Sequence, residues 1–125
     1  MRCLRKPRGW VGLCGMLMLA GWLAGMPAAR AETKKFTVIN VLLDGTKIWL
    51  PSNLIVYQDD EVELTLVNKL EEAHGFRIAA FGIEDVVQPK AQTTVRFTAK
   101  AVGVHAYLCH IHPPHVGGQI LVLAK

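Results

Sequence analysis

The chain predicts an all-β domain of about seven or eight short strands, arranged as an antiparallel sandwich or a small barrel. Three features point that way. The stretch "EVELTLVN" (61–68) alternates apolar and polar side chains with the period of a strand that has one wet face. Turn residues recur at intervals of about 8 to 12, the spacing of short strands. No segment sustains the 3.6-residue apolar period of a packed helix, although "FGIEDVV" (81–87) is compatible with a single helical turn.

The elements follow in order. "KKFTVINVLL" is an opening strand with Phe36, Val38, Asn40 and Leu42 on one face, closed by the turn pair Asp44-Gly45. "TKIWL" runs up to Pro51, and "SNLIVYQDD" is a short extended segment ending in an acidic turn. In "EVELTLVN", Val62, Leu64, Leu66 and Asn68 point one way. "HGFRIAAF" is a further strand, "GIEDVVQPKAQ" a polar connection, and "TTVRFTA" a strand with Val95 and Phe97 inward. "VHAYLC" follows the turn at Gly103, and "GQILVLA" closes the domain. Lys34, Lys35 and the "NKLEEA" loop read as charged protection of sheet edges.

Residues 1–31 have the pattern of a signal peptide: a basic start (Arg2, Arg5, Lys6, Arg8), the apolar run "WVGLCGMLMLAGWLAGM", and Ala29 and Ala31 spaced for a signal peptidase. Cleavage near Ala31 leaves residues 32–125 as one domain, exported by the general secretory route to a bacterial periplasm. The alternative is a retained membrane anchor. Cys14 lacks a suitable lipobox, and no twin-arginine pair precedes the run. Removing the presequence takes away five of the 14 basic residues, leaving nine against ten acidic ones and a formal charge of −1. The basic isoelectric point therefore belongs to the leader and is no argument for nucleic-acid binding. Such a chain buries roughly 60% of its unfolded surface, enough for one small core.

Cysteine usage points to the chemistry. Cys3 and Cys14 leave with the leader, so Cys109 stands alone in a compartment that oxidises thiols. A free thiol there is a liability unless it is buried or metal-bound. It lies in "CHIHPPHVGG" (109–118), with His110, His112 and His115 close behind. On a strand of period two, His105, Tyr107 and Cys109 share one face. Pro113 and Pro114 exclude ladder pairing and helix alike, so His112 and His115 sit on a constrained loop. Cys109 and His112 can both reach one atom. The remaining histidine outside this cluster is His74, which opens the strand after the acidic loop; a sandwich that gathers loops at one end could set it opposite Cys109. One thiolate with two imidazoles suits copper, and could also hold zinc or cobalt. A structural zinc site fits less well, since those use several cysteines at paired spacing.

On the stretches "LPSNLIVYQDDEVELTLVN", "HGF" and "TVRFTAKAVGVHAYLCHIHPPHVGGQILV", the chain resembles the cupredoxin superfamily of small blue (type 1) copper proteins, such as plastocyanin, azurin and exported bacterial cupredoxin-like domains. The last stretch matches the family's aromatic-x-Cys-x-x-His pattern followed by a loop and Gly-x-hydrophobic. The resemblance implies a Greek-key β-sandwich over residues 32–125 and one copper ion cycling between Cu(I) and Cu(II). It implies His74, Cys109 and His112 as ligands, and single-electron transfer without bond-making chemistry. Its implied partners are redox proteins such as a cytochrome or a terminal reductase or oxidase. The expected state is a monomeric, non-enzymatic carrier; copper delivery and a redox-inert accessory domain are the alternatives.

The chain departs from the family at the axial position. Many relatives place a methionine before the final Gly-x-hydrophobic stretch, but all four methionines here (1, 16, 18 and 26) lie in the leader. Val116 occupies that place, next to His115. The site then has no axial side chain, a backbone oxygen from Ala73, or His115 as a fourth ligand; a strong imidazole donor would favour Cu(II) and lower the potential. Glu71 and Glu72 read as a solvated turn more than as ligands. His110 should point away from Cys109, toward solvent or a docking partner on an electron exit path. His105 reads as a packed core-edge histidine, and Trp49, Phe76 and Tyr107 as core aromatics near the site. Asn68 resembles the family asparagine that ends its strand, where its amide could pin the loop bearing Cys109.

Overall fold

The computed structural model describes residues 32–112 and 115–125. The expected leader and the two prolines of the histidine loop lie outside the described residues. Among the described residues nine strands form: β1 (Thr33–Leu43), β2 (Thr46–Leu50), β3 (Asn53–Tyr57), β4 (Glu61–Asn68), β5 (His74–Ile78), β6 (Ile83–Val87), β7 (Gln92–Thr98), β8 (Gly103–Tyr107) and β9 (Gly118–Leu123). One sheet has the order β2-β1-β4-β7 and the facing one the order β3-β9-β8, with a β5-β6 ribbon joined by an isolated bridge from Arg77 to Leu108, the residue after β8. The β-sandwich expected from the alternating segments is the fold observed.

The core lies where the alternation places it. Val62, Leu64 and Leu66 of β4 are buried with Val38 of β1, and they meet Val56, Phe76, Ile78, Ile120 and Val122 from the other layer. Val95 and Phe97 point inward as read. Two pairings are parallel, β1 with β4 and β3 with β9, against an expectation of antiparallel neighbours throughout. The cause is the crossing of the chain between layers after β2: β3 joins the second sheet, and β4 returns beside β1 running in the same direction.

Two local expectations are corrected. "FGIEDVV" forms no helical turn over its length: Ile83–Val87 is β6, paired antiparallel with β5, which supplies the hydrogen bonds that a turn would have had to make for itself. The strand read as "HGFRIAAF" stops at Ile78 and gives way to a 3-10 turn, Ala79–Phe81, closed by Gly82 at φ 65°. Leu42 is 57% exposed despite its place in the apolar alternation. Pairing of β1 with β4 ends at Asn40–Asn68, so the β1–β2 hairpin runs on past the core.

Behind the histidine loop the packing is tight. The Tyr107 hydroxyl donates to the Pro51 carbonyl, and burial pushes the Tyr107 phenol up to about 12. A methyl group on Gly118 would overlap the Tyr107 phenol ring and the Ser52 carbonyl. Gly118→Ala is therefore expected to destabilise the domain by about 1–3 kcal/mol, read as a lowered urea midpoint with an unchanged m-value. An unchanged midpoint contradicts this packing.

Candidate metal centre

Two backbone segments bring the thiol and the first imidazole together. Arg77 N–H donates to Leu108 O at 2.9 Å, and Leu108 N–H returns to Arg77 O at 3.1 Å. This bridge sets Cys109 against the first residues of β5, and Gly75 N–H donates to Cys109 Sγ at 3.2 Å. Gly75 has no Cβ for a physical reason: one would lie 2.6 Å from the His110 ring. Cys109 is inward-facing and buried, as its parity with Tyr107 predicts.

His74 is buried with neither ring nitrogen hydrogen-bonded among the described residues. His112 Nδ1 stands 4.0 Å from Cys109 Sγ. His115 enters from the far side of the loop, which is tied to the first sheet by Val116 N–H donating to Lys47 O at 3.3 Å and by an Ile48–Val116 bridge. The His74 ring centroid is 5.1 Å from that of His112 and 4.8 Å from that of His115. One donor atom from each of His74, Cys109, His112 and His115 lies within 4.8 Å of all the others. Two donors sharing a tetrahedral ion of this type are roughly 3.5 Å apart, so a small contraction closes the set. The donors fit a metal: buried imidazole nitrogens without partners, including Nδ1 of His115, converge on a buried sulfur.

Burial disfavours the charged form of two of these rings, His74 and His115. Burial, with His115 and His112 close by, pushes His74 from 6.5 down to about 4. Burial also lowers His115, with His112 beside it. The expected turn of glutamates holds no donor of the cluster: Glu72 pairs with Lys47 Nζ at 2.5 Å, which lowers its carboxyl, and Glu71 pairs with Lys90 at 2.7 Å.

The supporting residues divide. Phe76 packs between Trp49 (5.4 Å) and Tyr107 (5.1 Å), directly behind the site. Ala73 is half-buried at the step into His74, and Val116 is exposed while its backbone anchors the loop. Asn68 pins a different loop from the one expected. Its Nδ2 donates to the carbonyls of Glu72 (2.7 Å), Val87 (3.1 Å) and Gln88 (3.2 Å), and its Oδ1 accepts from Leu70 N–H, so it fixes the approach to His74 and not the Cys109 loop. The cause is position: β4 ends where the acidic loop begins. His110 stands outside the cluster, as expected, but its side chain is only 17% exposed, folded over Gly75 with Nε2 3.9 Å from Glu84. His105 is packed as read, bonded to Ala101 O at 2.8 Å and edge-on to Phe81. Sequence reasoning missed Gly75 and Lys47. The first had a signal in its place after a histidine that needs close backbone approach; the second had none.

His74 and His115 are harder to protonate folded than unfolded, so the unfolded chain gains protons first and stability rises with pH through this range. In the metal-free protein the contribution of both is intact above pH 6.5 and diminishes below it, that of His74 being lost as pH falls toward 4. The lowered carboxylates of Asp60, Glu63 and Glu72 act in the same direction at lower pH, through and below 3.8 to 4.5. A melting temperature that declines steadily from pH 6.5 to 4, and a flatter curve for His74→Leu, are expected; a flat wild-type curve contradicts the burial of these rings.

Comparisons place this arrangement in a family. The sequence profile described as a cupredoxin-like domain matches residues 14–122. Copper nitrite reductase from Nitrosomonas europaea shares the fold with a TM-score of 0.66 at 21% identity, over 75% of this chain and 42% of that one. Blue copper oxidase from Nitrosomonas europaea does so with a TM-score of 0.64 at 17% identity, over 75% and 40%. The chain thus spans about two fifths of the length of these neighbours, and the likeness to them is one of fold. With the family match running through the sandwich and across all four clustered donors, the chain belongs to the cupredoxin-like domain family.

Proposed function

We propose that the domain holds one copper ion on His74, Cys109, His112 and His115, and carries single electrons between redox proteins in the periplasm. The observation that carries this reading is the convergence of a buried thiol and three imidazoles from two distant chain regions. A thiolate with imidazoles is the donor set that copper favours over harder cations. Copper held there supplies a one-electron couple between Cu(I) and Cu(II).

The chain's residues supply the rest. The β5–β8 bridge and the Gly75 N–H hold the sulfur in one position, so little structure has to rearrange when charge at the site changes. The same N–H stabilises negative charge on sulfur. His115 stands beside Val116, the residue at the place where many relatives carry a thioether; as a stronger donor than a thioether it would favour the oxidised form and lower the potential. His112 and His115 line an open groove of about 730 Å³ together with Ile111 and Val116, which offers a cytochrome or a terminal reductase or oxidase a short path to the site. One electron enters from a reduced partner and one leaves to an oxidised partner, with no bond made. The predicted leader supports periplasmic export, and the domain works as a monomeric carrier without enzymatic activity of its own. The open groove also favours a second reading, copper receipt and delivery, because two of the four ligands border solvent.

Visible and electron paramagnetic resonance spectra of the Cu(II)-loaded protein test both. An intense thiolate-to-copper charge-transfer band that survives cycles of reduction and reoxidation is expected. Its absence overturns the ligand set; its presence with rapid metal loss to a mild chelator and irreversible cycling favours delivery. His115→Ala should change the spectrum and raise the potential, and an unchanged spectrum removes His115 from the ligands.

A further inference from the structure

Asn40 of β1 stands outside the donor cluster, yet it is fully buried and neither Oδ1 nor Nδ2 has a hydrogen-bond partner among the described residues. Its surroundings follow from register. It pairs with Trp49 of β2 on one side and Asn68 of β4 on the other, and all three side chains are buried. Directly opposed residues share a face, with neighbouring strands about 4.8 Å apart. The three therefore form one transverse row on the inner face of the sheet.

Both ends of that row are fastened to the backbone around His74. Trp49 Nε1–H donates to Gly75 O at 3.2 Å, on the residue after His74. Asn68 Nδ2 donates to Glu72 O, before His74, and to Val87 O, on the residue opposite His74 in the ribbon. Asn40 stands between these two anchors in the row, and both anchors hold the segment that carries His74. The Asn40 amide and the His74 imidazole are thus two buried groups without hydrogen-bond partners among the described residues, one in the row and one on the segment that the row holds.

A neutral imidazole carries a proton on one nitrogen and a lone pair on the other. With one ring nitrogen offered to the cluster, the second must carry the proton and needs an acceptor, and such acceptors fix the tautomer of a metal-ligating histidine. We propose that Asn40 is the positioning residue for His74: the N–H of the ring nitrogen not offered to the cluster donates to one enclosed water, which in turn donates to the Asn40 side-chain carbonyl, so that the proton is held on that nitrogen and the other is left bare. Water is the link because the two groups make no direct hydrogen bond, and a buried water needs two or more polar partners of the kind these groups provide. This inference rests on His74 being a metal ligand.

The test uses the metal-free protein at neutral pH, where nitrogen-15 NMR reports which His74 nitrogen is protonated. Wild type should show one tautomer. Asn40→Leu, which keeps the volume and removes the amide, should show both. Asn40→Ala provides a second variant that leaves room for water without an amide, and should mix the tautomers likewise. Copper affinity should fall about 10- to 100-fold in both, while Val38→Ala on the same strand lowers stability and leaves the tautomer single. One unchanged tautomer in both Asn40 variants overturns the proposal. Should wild type bind no copper, the reading of the preceding subsection fails, while the tautomer comparison still decides the part played by Asn40.

Discussion

The site depends on two reciprocal hydrogen bonds between Arg77 and Leu108. They are the seam at which the β5–β6 ribbon joins the sheet that ends in the histidine loop. Without the seam, His74 and Cys109 belong to separate pieces of β-structure, 35 positions apart in the chain. With it, register alone puts the sulfur against the start of β5, and the side chains have only to fill the space. The geometry of the donors is in this sense a backbone property, which is how a small domain holds a soft ligand still.

Around that seam the packing is aromatic on the inside and charged at the rim. Trp49, Phe76 and Tyr107 form one run of rings behind the cluster, each tied by packing or by a polar atom to the segments that carry ligands. These groups exclude water, and exclusion of water is what holds the His74 imidazole neutral. Burial at the site thus has two effects from one cause: it keeps the nitrogen lone pairs available, and it leaves polar atoms such as those of Asn40 to find partners inside the protein.

Much of this was legible in the residues. The strand "EVELTLVN" alternates so regularly that its buried face could be named residue by residue, and the parity of Tyr107 and Cys109 held into the structure. The four donors could be named because thiol and imidazole are scarce in residues 32–125, so few combinations exist. What failed to show was pairing. "IEDVV" has no sequence mark that distinguishes an edge strand from a turn, since its partner β5 is what decides, and five residues are too few for a period. Asn68 was assigned to the wrong loop for a similar reason: a side-chain amide shows its donors in the sequence but not which carbonyls will surround it. Asn40 read as one more inward position of β1, and only the register with Trp49 and Asn68 gives it a neighbourhood.

Lys47 fastens the ligand-bearing segments to the β1–β2 hairpin in two ways. Its carbonyl accepts from Val116 in the histidine loop, and its ammonium holds Glu72 just before His74. The two bonds answer to different conditions. Dissolved ions shield an exposed ammonium–carboxylate contact and leave an amide-to-carbonyl bond almost untouched. Brine therefore slackens the ammonium side of the clasp only, while the amide bond to Val116 keeps its grip and Asn68 still holds the Glu72 carbonyl.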